Sequence, residues 1–341
     1  MQSILLTFDY ELPLGGVLNN YEESLFKPTD QLMKSASKMD VPLVFFVDIL
    51  CYIQFKNNRL DQFCDRFKQQ VQQMILDGHD VQLHLHPHWL KTKIKDNQFV
   101  TDAPFSLSDY SDTQIQFFIQ TGVESLNKMV QEVKNEYQCV AFRAGGYNFG
   151  TKQALIVDLL FQHGIRFDAS IAKGYYFKSD TSVVDYRHCP ENPHWFLKGI
   201  NPKHQILEIP IASKPKSWFE IPTFLKLKWY KSRSVDRGKM IHTFTQYTRN
   251  EKWNQFLSSR MLTIDNYTFS LSFLLTVIHY QIKIHKNIEN SAFCLIGHPK
   301  AMGLYSLELL ENLIKKIQYN NDLNIITFNS IENIYKENES N

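Results

Sequence analysis

Short apolar runs alternate with longer amphipathic stretches through the first half of the chain and again near its end. Ile4-Leu5-Leu6-Thr7-Phe8 reads as a buried strand, and Pro42-Leu43-Val44-Phe45-Phe46-Val47-Asp48 as a second. His79 to Leu83, Cys139 to Phe142 and Gly164 to Ser170 continue the series. Between these runs, Leu60, Phe63, Phe67, Val71, Met74 and Ile75 recur at helical spacing until Asp77-Gly78 stops them. Helical sequence also spans Lys27 to about Lys38, Asp112 to Glu136 and Lys152 to Gln162. Strand–helix alternation with short connections predicts parallel βα units. From Ile171 to about Ser291 the rhythm breaks, and there only Ile206 to Ile211 reads as a strand. It returns with strand Ala292 to Gly297, a helix from about Tyr305 to Tyr319, strand Leu323 to Phe328 and a final short helix.

Polar residues gather where the apolar runs end. Asp9-Tyr10-Glu11 closes the first strand, and a period of two puts both carboxylates on one face with Tyr10 on the other. Such a pair repels unless a cation or a shared proton lies between; a solvated acidic turn is the alternative. Leu83-His84-Leu85-His86-Pro87-His88 sets three histidines on alternate residues. Imidazole is the commonest side-chain metal ligand, and two of them i and i+4 apart can close on one ion. Taken alone, the cluster equally suits packing or surface histidines. Arg143-Ala144-Gly145-Gly146-Tyr147 ends the fourth run, and its glycines allow a close approach or a sharp turn. Asp168-Ala169-Ser170 ends the fifth, and His298-Pro299-Lys300 follows the late strand. Chemistry at the C-terminal ends of successive strands is the barrel pattern.

Composition narrows the setting. A chain of 341 residues suits one α/β domain with an inserted region, and 43% hydrophobic residues supply its core. The formal net charge of +2 points to no class of partner. The five cysteines are scattered without a CxxC pair, the usage of a reducing compartment. The N-terminus lacks the basic and small-residue signals of a secretory leader, and no apolar run reaches 18 residues. A cytoplasmic protein is expected. Between Lys214 and Lys239, lysines and arginines interleave with Trp218, Phe219, Phe224, Trp229 and Tyr230. This is either a solvated insertion or a basic, aromatic lid meeting an anionic substrate, such as a sugar on a nucleotide or a lipid pyrophosphate, with peripheral membrane contact. The basic cluster is confined to this insertion, which argues against nucleic acid.

Together, Thr-Phe-Asp-Tyr-Glu, His-Leu-His-Pro-His, Phe-Arg-Ala-Gly-Gly-Tyr, Phe-Asp-Ala-Ser and Leu-Ile-Gly-His-Pro, in this order, resemble the polysaccharide deacetylase superfamily, which includes carbohydrate esterase family 4 N-deacetylases. The likeness covers roughly residues 3–170 and 290–330. It implies a distorted (β/α)7 barrel, read as a single domain over residues 1–341; it does not account for residues 171–290, inserted before the last strands, which could form a lid, a membrane-docking face or a dimer arm. It also implies a divalent metal, usually Zn2+, held by one carboxylate and two histidines. By the resemblance, His84 and His88 are the histidine ligands, while His86 lines the substrate pocket or packs. Tyr10 stands where the family usually has a second aspartate, so Glu11 becomes the metal ligand and Asp9 the base, although either carboxylate could reach the ion. Arg143 resembles the arginine that orients the base. Tyr147 sits near the position whose backbone N–H steadies the oxyanion, and Asp168 resembles the carboxylate that keeps the catalytic acid, His298, protonated. The implied activity is hydrolysis of an N-acetyl or N-formyl group from a sugar in surface-glycan biosynthesis. Hydrolysis of another amide or an ester, and an inactive glycan-binding barrel, are the competing readings.

Overall fold

The computed structural model describes residues 2–13, 20–95, 98–101, 103–178, 183–216, 258–265, 268 and 270–331. The basic and aromatic stretch therefore lies outside the described residues from Ser217 onward; of the final short helix expected after the last strand, the described residues hold a 3-10 turn, Phe328–Ser330.

The apolar runs become strands of one mixed sheet. In chain order these are β1 Gln2–Tyr10, β2 Val44–Asp48, β3 Asp80–Leu85, β4 Ala141–Ala144, β5 Phe167–Asp168, β6 Trp195–Lys198, β7 Gln205–Glu208, β8 Thr263–Ile264, β9 Ala292–Gly297 and β10 Leu323–Ile325. The spatial order is β6-β7-β5-β4-β3-β2-β1-β9-β8, with β10 also on β1. A parallel bridge from Ile211 to Cys294 joins the segment after β7 to β9, so β1, β2, β3, β4, β5, β7 and β9 form a ring of parallel strands. This is the expected barrel. β6 runs antiparallel to β7 at one margin.

Around the sheet pack α1 Lys27–Lys38, α2 Ile49–Asn57, α3 Asp61–Leu76, α4 Asp112–Gln131, α5 Gln153–Gln162, α6 Leu271–Ile284 and α7 Leu304–Gln318. Ser111 caps α4 in a reciprocal box with Gln114. No described helix is long and apolar enough to cross a membrane. Between residues 171 and 290 several regular elements, β6, β8 and α6 among them, fall where the sequence shows no strand–helix rhythm.

Two cores follow from the period of two along each strand. Ile4, Leu6, Phe8 and Tyr10 on β1, and Val81, Leu83 and Leu85 on β3, face the helices. Leu5, Val44, Phe46, Ala141, Phe167, Leu207, Cys294 and Ile296 fill the barrel interior, with Phe328 among them. Tyr10 buries its ring on the helix side and donates its hydroxyl to Gln70 Oε1 at 2.8 Å, so the carboxylates flanking it turn the other way. The chain thus carries chemistry on the inner face of a barrel whose outer face is oil.

Helix α4 lies tight on β3. A Cβ at Gly122 would fall 2.7 Å from Leu85 Cδ2 and 3.4 Å from Leu83 Cδ1. Gly122→Val is expected to lower the unfolding free energy in urea by about 1–3 kcal/mol through overpacking. A variant as stable as its parent would show that the two leucines can give way.

Candidate functional site

β1 carries Asp9, followed by Glu11; β2 ends in Asp48; β3 carries His84, followed by His86; β4 carries Arg143; and His298 follows β9. All sit at the C-terminal ends of their strands, and all but His298 are buried.

Arg143 anchors the group. Its guanidinium, fully buried, lies 4.1 Å from the centre of the Phe46 ring. It donates from Nη1 to Asp9 Oδ1 at 2.6 Å, from Nη2 to Thr7 Oγ1 at 2.8 Å and from Nε to Ala169 O at 2.8 Å. Burial would raise the Asp9 carboxyl, but Arg143 first, then His84 and His298, hold it below its ordinary value. Glu11 is likewise opposed by burial, yet Lys300, His86 and His84 hold it well below the carboxylate range.

Glu11 Oε2 lies 3.3 Å from His84 Nε2 and 3.2 Å from His86 Nδ1. His84 Nδ1 sits 2.8 Å from Arg143 O, a carbonyl that can only accept, so Nδ1 carries a proton and Nε2 is presented to Glu11. Burial disfavours charge on His84, but Asp9, Glu11 and Asp48 together lift it to about 9. A cation belongs between these groups, whether a proton or a metal. Asp48 Oδ2 accepts from Trp89 Nε1 at 2.7 Å and lies 3.1 Å from His86 Nδ1, while Asp48 Oδ1 accepts from His86 N at 3.2 Å. The carboxylate thereby sets the orientation of His86. Gly145 leaves room for that ring, since a Cβ there would lie 2.6 Å from His86 Cδ2.

Ligand atoms of Glu11, His84 and His86 all lie within 4.8 Å of one another, as do those of Asp9, Glu11 and His298. Among the described residues these are the clusters suited to a metal. One carboxylate and two imidazoles on β1 and β3 fit a divalent ion, and the fixed tautomer of His84 is the arrangement that ligation needs.

The structure places His86, not His88, beside Glu11. The family resemblance pairs His84 with His88, but β3 continues through Leu85 and its alternation turns His84 and His86 to the same face. Pro87 then opens a 3-10 turn, Pro87–Lys91, that carries His88 toward Trp89 and Phe105, with ring centres at 5.0 and 4.7 Å. Burial, with the nearby His86, pushes His88 down to about 2, and its Nδ1 has no hydrogen-bond partner.

Asp168 also departs from expectation. Phe167 and Ala169 fill the barrel interior, so Asp168 turns to the opposite face, where it accepts from Ser170 N and Ser170 Oγ, both at 2.9 Å. Beside it Glu208 accepts from Ile171 N at 3.1 Å. Burial pushes both carboxyls up, Glu208 well above its ordinary value with the Asp168 charge adding to the effect. The charges felt by His298 are Asp9, Glu11, Lys300 and Asp265 instead. Its Nε2 lies 3.5 Å from Asp9 Oδ2 and from Glu11 Oε1, and 3.3 Å from the Tyr147 hydroxyl. Burial lowers His298 despite the carboxylates. Tyr147 joins the site through its side chain, in a left-handed conformation with φ 59°, and its carbonyl accepts from the Tyr186 hydroxyl.

Asp48, Lys300 and Asp265 join the cluster without having been singled out in the sequence. Asp48 has a visible signal, a charge ending an otherwise apolar strand, and Lys300 directly follows His298-Pro299. Asp265 lies where the sequence rhythm is lost.

No family model and no curated protein matches the chain. Solved structures do. A protein assigned as a polysaccharide deacetylase from Mycobacterium smegmatis superposes over 99% of this chain and 90% of its own, with a TM-score of 0.52 and 12% identity. Another so assigned, from Pseudomonas aeruginosa PAO1, covers 98% and 91%, with a TM-score of 0.54 and 11% identity. The allantoinase Puue covers 98% and 90%, with a TM-score of 0.55 and 9% identity. The chain has the fold of the polysaccharide deacetylases.

Arg143→Met is expected to cost about 3–5 kcal/mol in urea unfolding, because it leaves Asp9 buried without its counter-charge. Asp9→Asn combined with Arg143→Met should cost less than the single change. A double variant no more stable than the single would assign the loss to the Thr7 and Ala169 bonds instead.

Proposed function

We propose that the protein is a metal-dependent hydrolase that removes an N-acyl group, acetyl or formyl, from a sugar. The observation that carries the reading is the convergence of Asp9–Arg143, Glu11–His84–His86 and His298 at one end of a barrel of the deacetylase type. Glu11, His84 and His86 would hold a divalent cation, most simply Zn2+, which supplies Lewis-acid polarisation of the acyl oxygen and an acidified water.

The rest is done by side chains. Asp9, kept ionised by Arg143, accepts the proton of the attacking water. His298 Nε2, 3.5 Å from Asp9 Oδ2, can take that proton on and deliver it to the leaving nitrogen. The Tyr147 hydroxyl, 3.3 Å from the same nitrogen, donates to it while the imidazole is neutral. Asp9 and Glu11, which both face His298, favour its charged form as the proton arrives. A sugar intermediate of surface-glycan synthesis, carried on a nucleotide or lipid, is the substrate class that we favour. The same site could open another amide or an ester, and the fold also carries an allantoinase; release measurements across acylated sugars and other amides separate these.

His84→Ala and His298→Ala are each expected to abolish acetate or formate release, and unchanged release in either would sink the scheme. For the ligands, His86→Ala should weaken zinc binding by at least about tenfold, while His88→Ala should leave it near the parent value. Competition against a chromogenic chelator reads both, and the reverse ranking would move the third ligand to His88.

A further inference from the structure

Lys300 has no part in the scheme above, yet it reaches into the cluster. Its ammonium lies 2.7 Å from Glu11 Oε1 and donates to Leu12 O at 3.2 Å, so it clasps the ligand side chain and the next carbonyl together. The two paired side chains are only 11% and 8% exposed, and solvent screens them little. The turn Pro299–Ala301, opened by a proline whose ring fixes φ, sets Lys300 two residues after His298.

The two oxygens of Glu11 therefore keep different company. Oε2 faces His84 and His86, at 3.3 and 3.2 Å. Oε1 faces the Lys300 ammonium and, at 3.5 Å, His298 Nε2.

We propose that Lys300 is a built-in counter-cation that leaves Glu11 a single oxygen for metal ligation and holds down the affinity of the site for divalent ions. This rests on the metal role proposed for Glu11, His84 and His86. An ammonium at 2.7 Å already occupies Oε1, and a second cation on the same oxygen of this poorly solvated carboxylate would be repelled by it. Charge arithmetic points the same way. With a metal bound, and its imidazole ligands therefore neutral, Asp9, Glu11 and Asp48 contribute three negative charges against two fixed positive ones, Arg143 and Lys300. Subtracting gives an excess of one, and removal of Lys300 makes it two, which one divalent ion balances. The lysine thus keeps the buried carboxylates tolerable without metal, at the expense of metal affinity.

The test is zinc affinity of the full chain, read by chelator competition at fixed pH and independent of turnover. Lys300→Met, which keeps the length of the stem, and Lys300→Gln are both neutral, so either one that folds serves. Each is expected to bind Zn2+ at least tenfold more tightly than the parent, while Lys300→Arg stays within about threefold. In the absence of metal the neutral variants should melt at lower temperature, and zinc should raise their Tm more than it raises that of the parent. Equal or weaker zinc binding by the neutral variants, with the parent still binding, overturns the role of Lys300 and leaves the metal site standing. If neither parent nor variants bind zinc, cobalt or manganese, the metal reading fails and the proposal falls with it.

Discussion

Burying three carboxylates at one end of an apolar barrel is the constraint to which the rest of this structure answers. Desolvation pushes Asp9 and Glu11 toward the protonated form, and an unpaired buried charge would cost more than most single contacts return. The answer is a guanidinium with no exposed surface, bonded to Asp9, Thr7 and Ala169 O. Those bonds tie β1 to β4 and to the end of β5, so the electrostatic solution is also a mechanical one. A lysine could not imitate it, because the planar fork donates in three directions while its face rests on Phe46.

Around that anchor, strand alternation selects which side chains meet. It was legible for Asp9 and Glu11, because a period of two needs no knowledge of the partner strand. The same rule, applied to His84-Leu85-His86, picks the histidine pair that the structure brings to Glu11, whereas the family resemblance picks His88. It also explains Asp168. Reading polar residues at a strand tip as a shared site overlooks that Phe167 and Asp168 cannot both face inward, and the interior claims the phenylalanine. The barrel and its five leading strands could be read from apolar runs long enough to be buried on both faces. β8 is two residues long and β6 four, and neither has a pattern apart from the strand it borders. Helix α2 begins directly after Asp48, the last residue of β2, with no loop between them, and its apolar residues read as a continuation of that strand.

Residues that complete the site without a motif share one trait: their partners are distant in sequence. Asp48 is defined by His86 and Trp89, and Lys300 by Glu11. Neither pairing has a spacing to find, since each depends on two strands lying side by side. Asp48 in particular does for His86 what Arg143 O does for His84, fixing a ring by bonding one of its nitrogens. The two imidazoles nearest Glu11 are therefore held by different kinds of acceptor, a backbone carbonyl for one and a buried carboxylate for the other.

That difference has a chemical consequence. The carbonyl bonded to His84 carries no charge, so the ring can exchange a proton for a metal at Nε2 without disturbing its support. His86 is supported at the nitrogen that also faces Glu11, so ligation through Nδ1 would require Asp48 to release it, whereas ligation through Nε2 would keep Asp48 in place. Gly145 bears on the same choice, because the space left by its missing Cβ lies 3.0 Å from His86 Nε2. The ring edge that needs freedom to turn is the edge that the glycine leaves uncrowded. Gly145 thus serves the histidine that follows the neighbouring strand, and the motif that ends β4 is part of the support for the His86 ring.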